Sequence, residues 1–362
     1  MRPSHIRLPL IVVYLALFLA LAPAAIASTW YVDGVNGSDS NNCQSRLQAC
    51  ATIGHAISLA VSGDSVQIAA ASYTENLNIT VNLRLIGANP TTTVIDGGGT
   101  SRVISILNKT AHVTLSKLTV RDGVAAGGGG IINWGILTIS NGVISENTAA
   151  SSYSATGGGI YNSGTLTINN STLWGNAGST SFIYGGAIYN SGTLAINNST
   201  LSGNSATGFT GGGGGAIYNN GTAKISNTTF SGNGGSPNGG GIYNGGTVTL
   251  QNSIVANSSS GGNCYGTMTS KGYNLSSDST CSFSGAGDLN NTDPKLGPLQ
   301  NNGGLTGTMA LSSGSPAIDA GNPTGCTDNH GHLLKTDQRS QPRHDTEDAS
   351  GCDMGAYERQ SD

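Results

Sequence analysis

From residue 123 to residue 277 the chain contains no aspartate, arginine or histidine, and its acidic and basic side chains there are Glu146, Lys224 and Lys271. Glycoside hydrolysis generally needs two facing carboxyls. Abstracting a proton beside a carboxylate needs a base and a cation that holds the developing charge. A wall of this composition supplies neither, so the middle of the chain cannot run those reactions by those routes. Charge is scarce throughout, at 9% of residues against about 25% in ordinary soluble proteins. No basic stripe exists, which excludes nucleic acid as an expected partner. The zinc spacings C-x-x-C and H-x-x-x-H are missing. No loop carries a recognised calcium-ligand spacing either, so the reading assigns no metal and no cofactor. Past residue 27 there is no long apolar run, and hence no expected membrane span.

The chain does begin with an export signal over residues 1–27. Arg2 and Arg7 give a positive start, residues 8–21 are nearly all apolar, and Ala25-Ile26-Ala27 is a small-x-small cleavage site. Loss of the two arginines takes the formal charge from −4 to −6. Six cysteines follow: Cys43, Cys50, Cys264, Cys281, Cys326 and Cys352. An even number behind an export signal reads as disulfides, with 15 pairings open to six cysteines. Their clustering suggests three local bridges, Cys43–Cys50, Cys264–Cys281 and Cys326–Cys352. The expected location is secreted or at the cell surface.

What is abundant is a repeat. Glycine reaches 56 of 362 residues, about twice the usual share, and much of it recurs in Gly-Gly-x-Ile-Tyr-Asn. The anchors Ile131, Ile160, Ile188, Ile217 and Ile242 are spaced by 29, 28, 29 and 25 residues. A fixed period in this range marks stacked units, none able to bury its apolar face alone. Within residues 158–176, alternation turns Ile160, Leu166, Ile168 and Leu173 inward, and Tyr161, Thr165 and Thr167 outward. Short Thr- and Ile-rich runs between Asn/Ser/Gly corners are strands. The expected fold is all-β: a single-stranded right-handed parallel β-helix with three strands per coil and a short N-terminal capping helix. Leucine-rich repeats would need L-x-x-L-x-L, and calcium-binding nonapeptides an aspartate where none occurs between Asp122 and Asp278.

Two residue types repeat with the isoleucines. Asn133, Asn162, Asn190, Asn219 and Asn244 end the first strand of each coil, and Asn147, Asn176, Asn204, Asn233 and Asn257 close the third. Stacked amides can hydrogen-bond along the axis as a ladder, or asparagine can simply tolerate a left-handed corner. Tyr161, Tyr189, Tyr218 and Tyr243 form an outward stripe with coil spacing near 4.8 Å. Such a stripe suits a glycan or a surface protein, or stabilises the sheet by cross-strand stacking. Between coils, residues 148–156, 177–184, 205–213 and 234–238 read as loops emerging on one face.

The domain plan is 1–27 signal, 28–64 N-terminal cap, 65–260 repeats, and 261–362 the end of the solenoid and its cap. Residues 52–60 have the apolar spacing of a short covering helix. Twelve carboxylates lie in 278–362, including Asp319, Asp337, Asp353 and Glu358. They read as partners of Arg339 and Arg343 before they read as a calcium site. His330, His332 and His344 read as solvated loop residues before metal ligands.

Gly63-Asp64-Ser65-Val66 and Tyr73-Thr74-Glu75 resemble the opening coils of secreted pectin-lyase-like β-helix proteins. Gly-Gly-Ala-Ile at 185–188 and 214–217, with Phe230-Ser231-Gly232-Asn233, resembles the repeats of polymorphic outer-membrane proteins. Ser315-Pro316-Ala317-Ile318-Asp319-Ala320-Gly321, Asp337-Gln338-Arg339 and Asp353-Met354-Gly355-Ala356-Tyr357-Glu358 resemble the choice-of-anchor Q domain. The resemblance implies an exported, surface-associated β-helix, generally without established enzymatic activity. Display, adhesion, or binding of a glycan or protein is the expected role. The competing role is a polysaccharide-active enzyme, pectate-lyase-like or polygalacturonase-like, with its site near an end. Asn291-Thr292-Asp293 and His330-Gly331-His332 imitate polygalacturonase elements, and Tyr73-Thr74-Glu75 partly resembles pectin methylesterases, without the motifs that should follow.

Overall fold

A computed structural model describes residues 27–208, 210–343 and 351–360. All but the last residue of the export signal, and His344, lie outside the described residues. Three parallel sheets run along a solenoid. The first has ten strands from Thr29–Val32 to Thr269–Ser270, the second nine from Ala71–Thr74 to Leu275–Ser276, and the third eight from Leu77–Asn78 to Cys264–Tyr265. Like pairs with like from coil to coil. Ile160 sits on Ile188 and Asn162 on Asn190, Leu166 on Leu194 and Ile168 on Ile196, and Leu173 on Leu201. These columns are buried, each large side chain contributing about 1.5–3 kcal/mol.

The glycines of the repeat explain themselves at one corner. The first glycine of each motif (Gly128, Gly157, Gly185, Gly214, Gly239) has φ between +60° and +80°, where only glycine is unstrained. A Cβ on it, or on the second glycine, would come closer than 3.0 Å to a carbonyl oxygen. The third position is glycine in three coils and Ala187 or Ala216 in the other two.

The solenoid reaches beyond the boundaries read from sequence. Thr29–Val32 already pairs with Asp64–Ile68, so the N-terminal cap supplies the first strand. The helix Ile53–Leu59 starts at Thr52, whose Oγ1 accepts from His55 N. Glu75 accepts from Ile53 N and Gly54 N, so Tyr73-Thr74-Glu75 serves the helix start. The stretches expected to be loops are also corrected. Residues 148–156, 177–184, 205–213 and 234–236 hold short strands of two further parallel sheets, of five and three strands. Central coils therefore carry up to five strands. Ala149, Ala155, Ile183 and Ala206 form a separate small core between these sheets. Among the described residues no helix is long and apolar enough to cross a membrane.

The amides bond along the axis. Asn133, Asn162, Asn190 and Asn219 each donate Nδ2 to the Oδ1 of the next coil's asparagine at 2.7–2.9 Å, ending on Asn244. Asn147, Asn176 and Asn204 do likewise at 2.9–3.0 Å, ending on Asn233. Asn257 does not join them. Val255 pairs with Phe230, which places Ser258, not Asn257, opposite Asn233. Asn257 is exposed with φ +54° and holds the left-handed corner that Gly232 holds one coil earlier. Reading Ile254 instead of Val255 as the inward residue shifts the register by one. A second left-handed corner, between the first two sheets, is held by Asn141, Asn170, Asn198, Asn227 and Asn252.

The C-terminal segment does not simply close the end. The last coil is covered by residues 278–292, which bring Phe283 into the core and Leu289 beside Leu275. The chain then turns back along the corner between the first two sheets. An antiparallel hairpin, Leu296–Gln300 with Thr308–Leu311, and the residues after it are tied to successive coils. Thr306 Oγ1 donates to Asn170 O, Asn198 to Thr336 O, Asn227 to Thr327 O and Asn252 to Asp353 O. Gln338 is buried between Thr172, Thr200 and Thr306. Three disulfides, Cys43–Cys50, Cys264–Cys281 and Cys326–Cys352, pin the two ends and this strap.

Arg343 is the strap's buried hub. It donates to Glu358 Oε2 at 3.1 Å, to Asn198 Oδ1 at 2.7 Å and to Gly355 O at 2.8 Å. Arg339 pairs with Asp337 at 2.7 Å and lies 3.7 Å over the Tyr357 ring. Burial pushes the Glu358 carboxyl up to about 8, against the opposing pull of Arg343. A carboxyl raised on folding binds its proton more tightly in the native state, so stability falls as pH rises from the ordinary glutamate range through about 8.

Three outcomes are expected. Asn190→Ala, which breaks the middle of a ladder, lowers unfolding free energy by about 1–3 kcal/mol, whereas Asn257→Gly changes it by less than about 0.5 kcal/mol, both read from urea denaturation. Arg343→Ala costs about 3–5 kcal/mol because it leaves Glu358 Oε2, Asn198 Oδ1 and Gly355 O buried without their donor, at about 1–3 kcal/mol each. Melting temperature falls between pH 5 and pH 8.5, and Glu358→Gln flattens that slope.

Candidate functional site

The outward side of the third sheet carries the tyrosines. Each follows a buried isoleucine and precedes a buried ladder asparagine, so alternation leaves it no direction but outward. The rings stack along the axis with centroids 5.2 Å apart for Tyr161–Tyr189, 5.7 Å for Tyr189–Tyr218 and 4.4 Å for Tyr218–Tyr243. A fifth ring, Tyr265, continues the stack 4.7 Å from Tyr243. It was missed in the sequence because Cys264 replaces isoleucine and Gly266 replaces asparagine. The register Ile242–Cys264, Tyr243–Tyr265 makes the equivalence plain. Tyr184, from the added three-stranded sheet, meets Tyr218 edge-on at 5.0 Å.

This geometry decides what the row can offer. With interplanar angles of 7–24°, interior faces are occupied by neighbouring rings. Contact with a ligand falls to ring edges and hydroxyls along the row, and to a free face only at its ends. The four central rings are half-buried, and Tyr265 is exposed. Burial, with Tyr243 adding to it, holds the Tyr218 phenol well above the usual tyrosine range. Asn220 Nδ2 reaches the Tyr189 hydroxyl at 3.4 Å. The row is neutral, polar at its edge and uniform from coil to coil.

Two clefts lie elsewhere. One, of about 310 Å³ at the N-terminal end, is lined by Tyr31, Asp33, Arg46, Gln67 and their neighbours. Backbone N–H groups of Val35 and Asn36, and the Asn36 side chain, hold the Asp33 carboxyl below its usual range, which makes it a poor general base. The other, of about 330 Å³, lies between Trp174 on the second sheet and Leu299, Gln300 and Leu305 of the hairpin.

The motif fragments at the ends take structural places. Thr292 N donates to Ser276 O, and Asp293 accepts from Lys295 N. His55 lies beside Cys43 and Cys50, but those sulfurs are joined to each other and cannot ligate a metal as thiolates. His330 and His332, by contrast, meet at Asp328. The strap seats that loop against the first sheet, where Asn329 donates to Ile196 O and Lys224 O. Titratable groups supplied by the strap therefore flank the repeats. Sequence spacing could not show this, because the strap is more than 100 residues away in the chain.

No protein-family model and no curated protein matches this sequence. Among solved structures it is similar to the pectin methylesterase from carrot, with 13% identity, 76% of this chain and 91% of that chain covered, and a TM-score of 0.44. It is also similar to the Aspergillus niger pectin methylesterase, with 14% identity, coverages of 75% and 94%, and a TM-score of 0.42. Neither likeness bears on what this chain does. The fold itself is a parallel β-solenoid.

Stacked pairs contribute about 0.5–1.5 kcal/mol each beyond their buried area. Tyr218→Leu, which removes three ring contacts, should therefore destabilise by about 1.5–4 kcal/mol, and Tyr161→Leu, which removes one, by about 0.5–1.5 kcal/mol. Equal losses in urea unfolding at the two positions would contradict the stack as described.

Proposed function

We propose that the protein is an exported, non-catalytic β-solenoid that holds an extended, uncharged glycan along its tyrosine edge, as a surface-display or adhesive module. The observation that carries this reading is the row of five tyrosines in register on a face whose coils supply almost no charge. A polymer lying parallel to the axis would meet the same phenol edge and the same Ser, Thr and Asn corners at every coil. Phenol rings suit this task because they are rigid and amphipathic. Among the described residues the strands of this face carry no cation, which disfavours uronates, whose carboxylates need neutralising. Three disulfides fit an oxidising compartment, as does the resemblance of the tail to exported surface proteins.

The second reading, an enzyme with its site near an end, is favoured only by the N-terminal cleft, whose lining includes the carboxylate of Asp33 and the guanidinium of Arg46. A glycan array tests the first reading. Replacing Tyr161, Tyr189, Tyr218 and Tyr243 by phenylalanine keeps the stacked rings and deletes the hydroxyls. The expected result is a native circular dichroism spectrum with at least about tenfold weaker glycan binding, as two or more lost hydrogen bonds imply. Unchanged binding by the folded variant would sink the proposal. Reproducible cleavage of pectin or alginate by the wild type, abolished by Asp33→Asn, would favour the enzyme instead.

A further inference from the structure

Asp328, His330 and His332 lie on a five-residue turn whose geometry is fixed from several sides. Asp328 N donates to His332 O at 2.9 Å and Gly331 N to Asp328 O at 3.1 Å, with Gly331 at φ +85°. Thr327 and Leu333 bridge across the base of the turn, and Cys326 just before it is bonded to Cys352. The solenoid grips the same turn from below. Gln251 Nε2 donates to Thr327 O and Asp328 O, and Asn329 bonds to Asn197, Ile196 and Lys224. The loop is thus held at both its base and its crown.

The carboxylate of Asp328 divides its work. Oδ1 accepts from His330 N at 2.8 Å and His332 N at 2.9 Å. Oδ2 faces both imidazoles, at 3.2 Å from His332 Nδ1 and 3.8 Å from His330 Nδ1. Three potential donor atoms, two nitrogens and an oxygen, therefore lie within 4.8 Å of one another on the exposed side of the turn. Metal–ligand bonds of about 2.0–2.1 Å in a tetrahedral site place neighbouring donors roughly 3.3 Å apart, so only small side-chain rotations separate this arrangement from a coordinating one.

We infer that Asp328, His330 and His332 form a binding site for a borderline divalent transition ion, Zn²⁺ or Cu²⁺, with a position left open to solvent or to a donor from a partner. Imidazole nitrogens with one carboxylate oxygen suit these ions and not calcium, which takes six to eight oxygens. Oδ1, engaged by the backbone, would orient Oδ2 as an outer-shell contact does in other metal sites.

The test is isothermal titration of ZnCl₂ into the full-length protein in a non-chelating buffer, with wild type, His330→Ala/His332→Ala and Asn329→Ala. The wild type should bind one equivalent saturably, and X-ray absorption of that complex should show two imidazoles. The double variant should lose this binding while its circular dichroism spectrum stays native. Asn329→Ala, which loosens the loop from the solenoid, should weaken affinity by about 10–100-fold, the usual effect of removing outer-shell support. No saturable binding by the wild type, equal binding by the folded double variant, or an absorption spectrum without imidazole scattering would each overturn the inference.

Discussion

Everything in this molecule depends on each coil finding, at the same place in the next coil, a partner for what it cannot satisfy itself. A strand of three to five residues has no stability alone, and a corner asparagine buried without partners would cost about 1–3 kcal/mol. Stacking resolves both at once. Backbone groups pair upward and downward, and Asn162 gives its amide protons to Asn190, Gly164 O and Thr193 O in a single arrangement. The same demand fixes the register, because a slip of one residue would carry isoleucines outward and tyrosines inward. Repetition of Ile-Tyr-Asn is therefore the chemical statement of one register, written once per coil.

That repetition is why the solenoid was legible in the sequence. Residue types that recur at one period can be assigned to faces without knowing anything about distant contacts, and the inward columns at Ile131, Leu166 and Leu173 needed nothing more. Legibility failed where the period weakened. At the last full coil, Ile254 and Val255 are both apolar and both buried, so pattern alone could not say which one continued the column. Asn257 was placed one residue out in consequence. Residues 177–184 and 205–213 look like loops in the sequence because they vary in length from coil to coil, and glycine and serine have weak strand preference. In place, their pairing with the neighbouring coil overrides that preference.

The strap was illegible for a different reason. Its motifs, Asp337-Gln338-Arg339 and Asp353 to Glu358, are charged and could have faced water. They are buried instead, because the corners of the solenoid present carbonyls, hydroxyls and amides at Ser171, Thr172, Asn198 and Thr229 that need partners from outside the repeat. Three of the left-handed corner asparagines, Asn198, Asn227 and Asn252, hold strap residues. Their role is thus distinct from that of the ladder asparagines, although both sets look alike in the sequence. Side-chain chemistry was readable there; the direction of the returning chain was not, since no local pattern encodes a contact across 130 residues.

This division of labour bears on where function can reside. The solenoid is built by suppressing individuality: identical residues, few charges, rings stacked face to face. Such a surface can present one chemical feature many times, which favours weak contacts to a repeating partner, summed along its length. Its outward positions can change without loss of register, as Lys224 beside Ala195 does, but from residue 123 to residue 277 they offer only Glu146, Lys224 and Lys271 as charged groups. Most of the unlike groups come with the non-repeating chain. That is why the convergent cluster of donors on Asp328, His330 and His332 lies on the strap, and why the strap's hold on the corner of the coils matters more than its distance from the tyrosine edge. A repeating face and a singular loop are thus complementary consequences of one constraint, and any specificity beyond the row itself must be sought where the repeat ends.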